Sequence, residues 1–217
     1  MNSAVEKLPL RELKKQRTAH ALRETARDFF KRVPYDEAKL TDIARDAEVS
    51  ATTVYNYFAT KLELLYAVVG EENVEVVEKA RKLNAREWSD SVDALHAFAK
   101  LMFRWFDSFQ RSALQAVLSA ALVPRSDAHS QYASIDELEE KALNELVVAL
   151  QEQRLVDPTL DPGFLSALLF NLMNAEFVAF VSDEVRTVEA SCSSLRRQFE
   201  FISSSWAPRR ARPKDSR

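Results

Sequence analysis

Glycine is scarce in this sequence: only Gly70 and Gly163 occur among its 217 residues. Gly-rich phosphate loops, dinucleotide-binding fingerprints and nucleophile elbows each require several glycines close together. The near absence of glycine therefore excludes these three kinds of site.

Cysteine and histidine are also sparse. Cys192 is the single cysteine and cannot form an internal disulfide, and His20, His96 and His129 have no cysteine or second histidine at metal-ligand spacing. No activated nucleophile or positioned base is apparent either. We therefore expect no enzyme activity, no metal site and no cofactor.

Long apolar runs are missing as well. No run approaches the length of a membrane span, and residues 1–17 lack the apolar core of a signal peptide. The hydrophobic content of 47% is nevertheless ample for a buried core. β-Branched pairs such as Val76 and Val77 lie inside helical periodicity. We expect an all-α, cytoplasmic protein with no membrane partner.

The net charge of −3 is unevenly distributed. Residues 1–61 hold 12 Lys and Arg against 9 Asp and Glu, residues 208–217 hold 5 against 1, and residues 62–207 hold 13 against 23. A basic end on an acidic body suits a protein that presents one face to DNA. We expect residues 208–217 to form a disordered basic tail, which either keeps the chain soluble or adds nonspecific DNA affinity.

Residues 41–65 carry three helix signals in close succession. Ser50 is placed to cap a helix over residues 51–58 that buries Val54 and Phe58, and Thr60 with Glu63 forms a capping box that opens the next helix. A two-turn helix precedes them, with its apolar face at Ile43, Ala44 and Ala47. The second helix turns an uncharged face outward, at Ala51, Thr52, Tyr55 and Asn56. This arrangement is what a helix-turn-helix needs to enter a major groove.

The pattern resembles the DNA-binding signature of TetR-type transcriptional regulators. The matching residues are Ile43, Ala44, Ala47, Val49, Ser50, Thr53, Tyr55, Tyr57, Phe58, Lys61, Leu64 and Leu65. The resemblance covers roughly the first third of the chain. It implies a three-helix DNA-binding head over residues 1–66, joined by a long helix to a ligand-binding and dimerisation body over residues 67–207, followed by the tail over residues 208–217.

Two residues depart from the family pattern. Glu48 stands where the turn usually has glycine, and Lys39 stands where a threonine often caps the first motif helix. A residue other than glycine at a turn that requires a positive φ costs on the order of 1 kcal/mol. We therefore expect local strain at Glu48.

The resemblance assigns the DNA contacts to the second motif helix and its flanks. Methyl groups suit thymine and an amide can bond adenine in bidentate fashion, so base edges are expected to be read by Ala51, Thr52 and Asn56. Thr53 belongs to the same surface. Contacts to phosphate or sugar are expected from Thr41, Ser50, Tyr55, Tyr57 and Lys61. For the two tyrosines, core packing is the alternative.

The first helix is expected to run from residue 10 to residue 32. Four basic residues crowd its first turns, namely Arg11, Lys14, Lys15 and Arg17. They form either a solvated face or a set of phosphate contacts beside the recognition helix.

The aromatic body is expected to hold a pocket for a small-molecule effector. The predicted lining is Phe98, Met102, Trp105, Phe106, Phe170, Met173, Asn174 and Phe177, with plain core as the alternative for each residue. Asn171, Asn174 and Glu176 either orient a ligand or form hydrogen bonds across a dimer seam. The polar residues 125–133 are expected to form a loop, with a capping box at Ser134 and Glu137 behind it.

The last two helices carry more apolar surface than one subunit is expected to bury. We therefore expect a homodimer built as a four-helix bundle, as the family resemblance also implies. The resulting hypothesis is a repressor that binds a double-stranded, palindromic DNA operator and is released by a largely apolar effector. The alternatives are an activator of the same fold, or a helical small-molecule-binding protein that has lost DNA binding.

Overall fold

A computed structural model describes residues 10–206, with side chains from residue 12 onward. This part of the chain forms nine helices and contains no strand. The helices are α1 (Leu10–Arg32), α2 (Leu40–Asp46), α3 (Ala51–Tyr57), α4 (Lys61–Arg81), α5 (Ser91–Phe106), α6 (Arg111–Ala121), α7 (Asp127–Glu152), α8 (Pro162–Ser182) and α9 (Val188–Trp206). The all-α prediction is confirmed, whereas the predicted tail lies outside the described residues.

Helices α1 to α3 and the start of α4 form the head. Its capping signals act as predicted. Ser50 Oγ accepts a hydrogen bond of 3.0 Å from the backbone N–H of Thr53, and Thr60 Oγ1 accepts one of 3.0 Å from that of Glu63. The Glu63 carboxylate reaches back to the backbone N–H of Ala59 at 2.7 Å. These bonds fix where α3 and α4 begin and hence the direction in which α3 points.

Glu48 has the left-handed backbone conformation that its position suggested, with φ of 55°. It forms the corner between α2 and α3, where the N–H of Val49 bonds the carbonyl of Ala44 at 2.9 Å. The expected strain therefore falls on the turn of the helix-turn-helix itself.

The long helix α4 leads from the head, where it packs against α1, into the body, where it packs against α5, α6 and α7. Its whole inward stripe is buried, including Leu65, Val69 and Val76. One continuous helix thus belongs to the cores of both parts, and the boundary between residues 66 and 67 stays a prediction.

The prediction of a loop over residues 125–133 is wrong. Helix α7 begins at Asp127, because Ser126 Oγ caps the N–H of His129 at 3.0 Å. Ser134 instead lies inside α7 and bonds back to the carbonyl of Ser130 at 3.0 Å. Serine has this second option within a helix, so a capping pattern alone does not locate a helix start.

Helix α8 is long and apolar enough to cross a membrane, by length and composition only, and half of its most apolar window is buried in the protein. Core helices share these properties. Its other face is exposed and includes Phe164 and Leu168.

Candidate DNA-binding surface and effector pocket

Helix α3 presents its predicted face to solvent. Val54 points into the core, whereas Thr52 and Asn56 are exposed and Tyr55 is 53% exposed. Core packing is therefore not the role of Tyr55. Ala51, Thr53 and Tyr57 are half-buried at the edges of the face, and no carboxylate lies on the helix.

An open cleft of about 490 Å³ separates α3 from the beginning of α1. Its lining comprises Glu12, Lys14, Lys15, Thr18, Thr53, Asn56 and Tyr57. Two lysines from the first turns of α1 thus stand opposite hydroxyl and amide groups of α3, far away in sequence. Such a combination of ammonium and hydroxyl donors can hold a phosphate. The side chain of Arg11 lies outside the described residues, and that of Arg17 is exposed.

The two flanking residues of the predicted contact set differ. Thr41 is exposed in the first turn of α2. Lys61 turns inward: its ammonium donates to the carbonyls of Tyr35 and Ala38, at 2.5 and 2.9 Å, and lies 4.1 Å from the centre of the Tyr35 ring. Burial lowers the pKa of Lys61, an effect that Asp36 opposes. Lys61 therefore fastens the turn between α1 and α2, a role that the sequence did not indicate.

A small cavity of about 30 Å³ lies in the body between α4, α5, α6, α7 and α8. Trp105, Phe106, Asn174 and Phe177 line it, as predicted for an effector pocket. The other predicted residues are buried elsewhere and do not reach it, namely Phe98, Met102, Phe170 and Met173. For these four residues the plain-core alternative describes the structure better than the pocket does.

Helix α7 supplies the part of the lining that sequence reasoning missed. Tyr132, Ile135, Asp136 and Glu139 face the cavity. Tyr132 was missed because residues 125–133 were expected to be a loop, whereas the other three residues lay in the helix expected from Ser134 but were not assigned to the pocket. The signal that could have found them is their spacing of three, four and seven residues, which places them on one face of a helix.

The two carboxyl groups in this wall are far from their usual state. Burial and the neighbouring Asp136 raise the pKa of Glu139 to about 8, although the Asn73 amide, which donates to its Oε1 at 2.6 Å, acts in the opposite direction. Burial and Glu140 raise the pKa of Asp136 to about 7. Burial also raises the pKa of Tyr132. Among the described residues, no Lys or Arg forms an ion pair with either carboxyl group.

The cavity is connected to the head through buried polar contacts. The indole N–H of Trp105 donates to Glu72 Oε2 at 3.1 Å. Glu72 Oε1 in turn accepts from Lys31 of α1 at 2.6 Å and lies 2.8 Å from Nε of Arg27. Next to them, the side chain of Gln110 donates to the carbonyl of Lys31 at 3.0 Å, which ties the α5–α6 loop to the end of α1.

The polar residues of α8 have three different surroundings. Asn174 lines the cavity and Asn171 is exposed. Glu176 is buried and forms an ion pair with Arg186 at 2.5 Å, so it serves neither of the two roles expected for it. Asn174 alone retains the proposed role toward a ligand.

One group in the described part of the chain has metal-ligand spacing, with ligand atoms within 4.8 Å of one another: His20, Glu24 and Glu71. Arginines already occupy both carboxylates, because Glu71 pairs with Arg23 and Glu24 pairs with Arg27, each at 2.8 Å. These ion pairs account for the group without a metal.

Comparisons with known proteins agree with this architecture. Residues 22–68 match the family model described as bacterial regulatory proteins, tetR family. A search of curated proteins gave no match. A putative TetR-family regulator from Mesorhizobium loti has a similar structure, with a TM-score of 0.67 at 17% identity over 89% of this chain and 98% of that one.

Two further similar structures were solved with small molecules. The TetR-family repressor FadR from Thermus thermophilus, in complex with lauroyl-CoA, has a TM-score of 0.63 at 16% identity over 92% of this chain and 98% of that one. A putative regulator from Saccharomonospora viridis, in complex with choline, has a TM-score of 0.62 at 16% identity over 85% and 96%. Residues 22–68 thus match the DNA-binding head of the TetR family, and the chain shares its all-α fold with these regulators.

Proposed function

We propose that the protein is a cytoplasmic, ligand-responsive repressor that binds a palindromic operator as a homodimer, with one α3 helix in the major groove of each half-site. The observation that carries the proposal is the exposed, carboxylate-free face of α3 beside the cleft that holds Lys14 and Lys15. Ala51, Thr52 and Asn56 read base edges on this face. The phosphate and sugar contacts come from Thr41, Ser50, Thr53, Tyr55, Tyr57 and the two lysines of α1.

The outer faces of α8 and α9 support dimer formation. Phe164 and Phe201 are 72% and 84% exposed, and Leu168 and Val178 continue an apolar stripe along α8. A groove between the two helices has Leu172 and Phe201 in its walls. Exposed apolar surface of this extent suits burial against a second copy of the same helices.

The buried contacts between Trp105, Glu72 and Lys31 support a route for release. An effector in the cavity shifts the Trp105 ring, which weakens the hold of Glu72 on α1. The two heads then sit at the wrong spacing for consecutive major-groove faces, and operator affinity falls by reciprocal coupling. The similar structures that contain lauroyl-CoA and choline support a small-molecule site in such a body, while their different charges leave the class of effector open.

The experiment is selection of DNA from a random library by the purified full chain at physiological salt. We expect the retained fragments to share a palindrome, and the same palindrome to lie upstream of a gene whose transcription rises when this gene is deleted. Retention of DNA without sequence preference would refute operator binding. A fall in transcription after deletion would instead identify an activator.

A further inference from the structure

The cavity wall contains two carboxyl groups and no compensating cation. Glu139 is 6% exposed and Asp136 lies one helical turn before it, so both carboxyl groups share one side of a small space. Two carboxylates placed together in a poorly solvated site cannot both be ionised without a counter-charge. The site therefore holds a proton in the empty protein, or a cation when a ligand is bound.

Several acceptor atoms at this wall, and on Asn73 in the neighbouring cleft between α4 and α7, have no donor. Glu139 uses Oε1 to accept from Asn73, and Oε2 has no partner among the described residues. Asn73 is completely buried, and its Oδ1 also has no partner. Asp136 accepts no hydrogen bond from any described residue. Only Asn73 Oδ1 among these atoms is buried without a partner, which is costly, and a ligand with several N–H donors can bond it together with the two carboxyl groups.

Aromatic rings form the opposite walls. Trp105 and Phe106 come from α5 and Phe177 from α8, and the centres of the Phe106 and Phe177 rings are 4.4 Å apart. Ring faces attract cations and also bury apolar groups. Carboxyl groups on one side and aromatic faces on the other suit a molecule with a cationic head and an apolar body.

A route into the cavity lies between α4 and α7. An open cleft of about 260 Å³ between these helices has Gly70, Asn73 and Ile135 in its wall, and Ile135 lines the inner cavity as well. A Cβ atom added at Gly70 would meet nothing within 4 Å, so the missing side chain leaves free space there. The inner cavity alone holds only a few water molecules, so a ligand enters from this cleft and displaces side chains.

We propose that the effector is an organic cation, a protonated amine with an aromatic or aliphatic body, whose ammonium group binds Glu139, Asp136 and Asn73 while its body lies against Trp105, Phe106 and Phe177. That the bound cation regulates DNA binding rests on the proposed function. The cation site itself rests on the geometry of the cavity alone. Binding replaces the proton of the carboxyl pair by the ammonium group. The aromatic or aliphatic part of the ligand contacts Trp105, and the indole N–H of this residue donates the hydrogen bond to Glu72.

Other charge types fit this cavity less well. An anion would face both carboxyl groups with no Lys or Arg at hand. A neutral ligand could bond a protonated carboxyl group, but it would leave the acceptor atoms of Glu139 and Asn73 largely unused. The charge of the ligand is therefore the property to test.

Three probes share one ring and differ in charge: benzylammonium, benzyl alcohol and benzoate. Titration calorimetry on the full chain near pH 7.5 is expected to give saturable binding for benzylammonium and binding at least about ten-fold weaker for the other two. The heat of benzylammonium binding should vary with the ionisation enthalpy of the buffer, because a proton leaves the site. Equal or tighter binding of the alcohol or of benzoate, or no binding of benzylammonium, would overturn the proposal.

Two matched variants test which carboxyl group binds the ammonium group of the probe. Glu139→Gln keeps the size of the side chain and removes the buried carboxyl group, whereas Glu137→Gln removes an exposed carboxylate from the same helix. The first is expected to weaken benzylammonium by about ten-fold or more and to change benzyl alcohol by less than about two-fold; the second should change neither. Equal affinities for the wild type and Glu139→Gln would also refute the site. If Glu139→Gln unfolds, Asp136→Asn provides the same comparison at the neighbouring carboxyl group.

Operator binding without any probe is measured on the same preparation. A chain that binds its operator yet ignores benzylammonium refutes the cation site and leaves the repressor proposal intact. A chain that binds benzylammonium through Glu139 yet has no operator preference confirms the site and refutes the repressor proposal.

Discussion

The indole N–H of Trp105 donates a 3.1 Å hydrogen bond to Glu72 Oε2, and the other oxygen of the same carboxylate holds Lys31 of α1 at 2.6 Å. Trp105 lines the cavity proposed for the effector, whereas α1 carries the lysines that face α3 across the cleft proposed to bind DNA. One buried carboxylate thus joins the two functional regions. Since Glu72 is only 7% exposed, loss of either partner leaves a largely buried carboxylate with one hydrogen bond fewer.

Replacement of Trp105 by Phe tests this connection. The variant keeps an aromatic ring in the cavity and removes the donor to Glu72, so we expect the free energy of unfolding to fall by about 1–3 kcal/mol and operator affinity to change several-fold. Denaturant unfolding and operator titration measure the two effects.

Trp88→Phe is the matched control for this experiment. Trp88 also donates its indole N–H, to the carbonyl of Leu83 at 3.1 Å, but within the body and away from α1. We expect a loss of stability without a change in operator affinity. Equal changes in operator affinity for both variants would show that the hydrogen bond of Trp105 has no special role in coupling.

A second prediction separates base-specific recognition from sequence-independent binding to phosphate. Asn56→Ala removes an exposed amide from α3 and should relax base preference at one position of each half-site by about 1–3 kcal/mol. Lys14→Ala should weaken binding to all sequences alike, and lower the slope of log affinity against log salt by about 0.9 for each phosphate that the lysine neutralises.

These two variants are compared over a set of operator mutants and salt concentrations. Lys61→Ala, by contrast, is expected to reduce the stability of the head, because its ammonium group satisfies two carbonyls of the α1–α2 turn. If Asn56→Ala and Lys14→Ala had the same profile over sequence and salt, the assigned division between base reading and phosphate binding would be wrong.

The head was predictable from sequence because its signals are local. Ser50, Thr60 and Glu63 each act within four residues, so spacing alone located α3 and α4. The inward turn of Lys61 was not predictable in this way, since its carbonyl partners lie 23 and 26 residues earlier and depend on how the turn at Tyr35 packs.

The lining of the cavity in the body was predicted only in part for a similar reason. Apolar periodicity identifies buried faces, but it does not say where packing leaves a space, so Phe98 and Met102 could not be told apart from Trp105 and Phe106. The place of Tyr132 in the lining depended on a helix start at Ser126 that competed with an equally good serine at position 134. Which serine acts as the cap is decided by the packing of α7 against α4, α6 and α8.

A third prediction concerns the strained corner of the head. Glu48 has φ of 55°, which glycine adopts without steric cost, so Glu48→Gly should stabilise the head by about 0.5–1 kcal/mol. Glu37→Gly is the control: Glu37 is also exposed in a turn of the head, but its φ is not positive. This substitution should destabilise the head by a similar amount. Thermal unfolding of both variants decides the matter, and a loss of stability in Glu48→Gly would show that the corner is not strained.

The buried carboxyl group of Glu139 makes a fourth prediction, on the dependence of stability on pH. Its pKa rises from 4.5 to about 8 in the folded protein, so the folded state keeps a proton that the unfolded chain loses. The resulting stability is complete below about pH 4.5 and is lost as the pH rises to about 8, by at most about 1.4 kcal/mol for each pH unit. Glu139 interacts with Asp136 and Tyr132 on α7 and with Asn73 on α4, while Glu140 acts on Asp136 and Tyr66 acts on Tyr132.

Denaturant unfolding at pH 5, 6.5 and 8 is the corresponding measurement. Glu139→Gln cannot ionise, so its stability should fall less between these pH values than that of the wild type, with the remainder due to Asp136. Glu137→Gln, on the exposed side of α7, should follow the wild type. A wild-type stability that rises over this range would contradict the assigned direction of the pKa shift.

The last prediction concerns the apolar outer faces of α8 and α9. Phe201 is 84% exposed on α9 beside Leu172 of α8, and a glutamate there would place a charge in the proposed four-helix seam. We expect Phe201→Glu to raise the dimer dissociation constant by at least about a hundred-fold, which corresponds to about 3 kcal/mol. Val185→Glu is the control, because Val185 is equally exposed but lies in the loop between the two helices.

Sedimentation velocity over a range of concentrations measures the dimer dissociation constants of both variants. A wild-type chain that stays monomeric would refute the homodimer, whereas a Phe201→Glu variant as dimeric as the control would place the dimer contact elsewhere. Since two half-sites are bound by two linked heads, the monomeric variant should also lose the preference for palindromic over single half-site DNA.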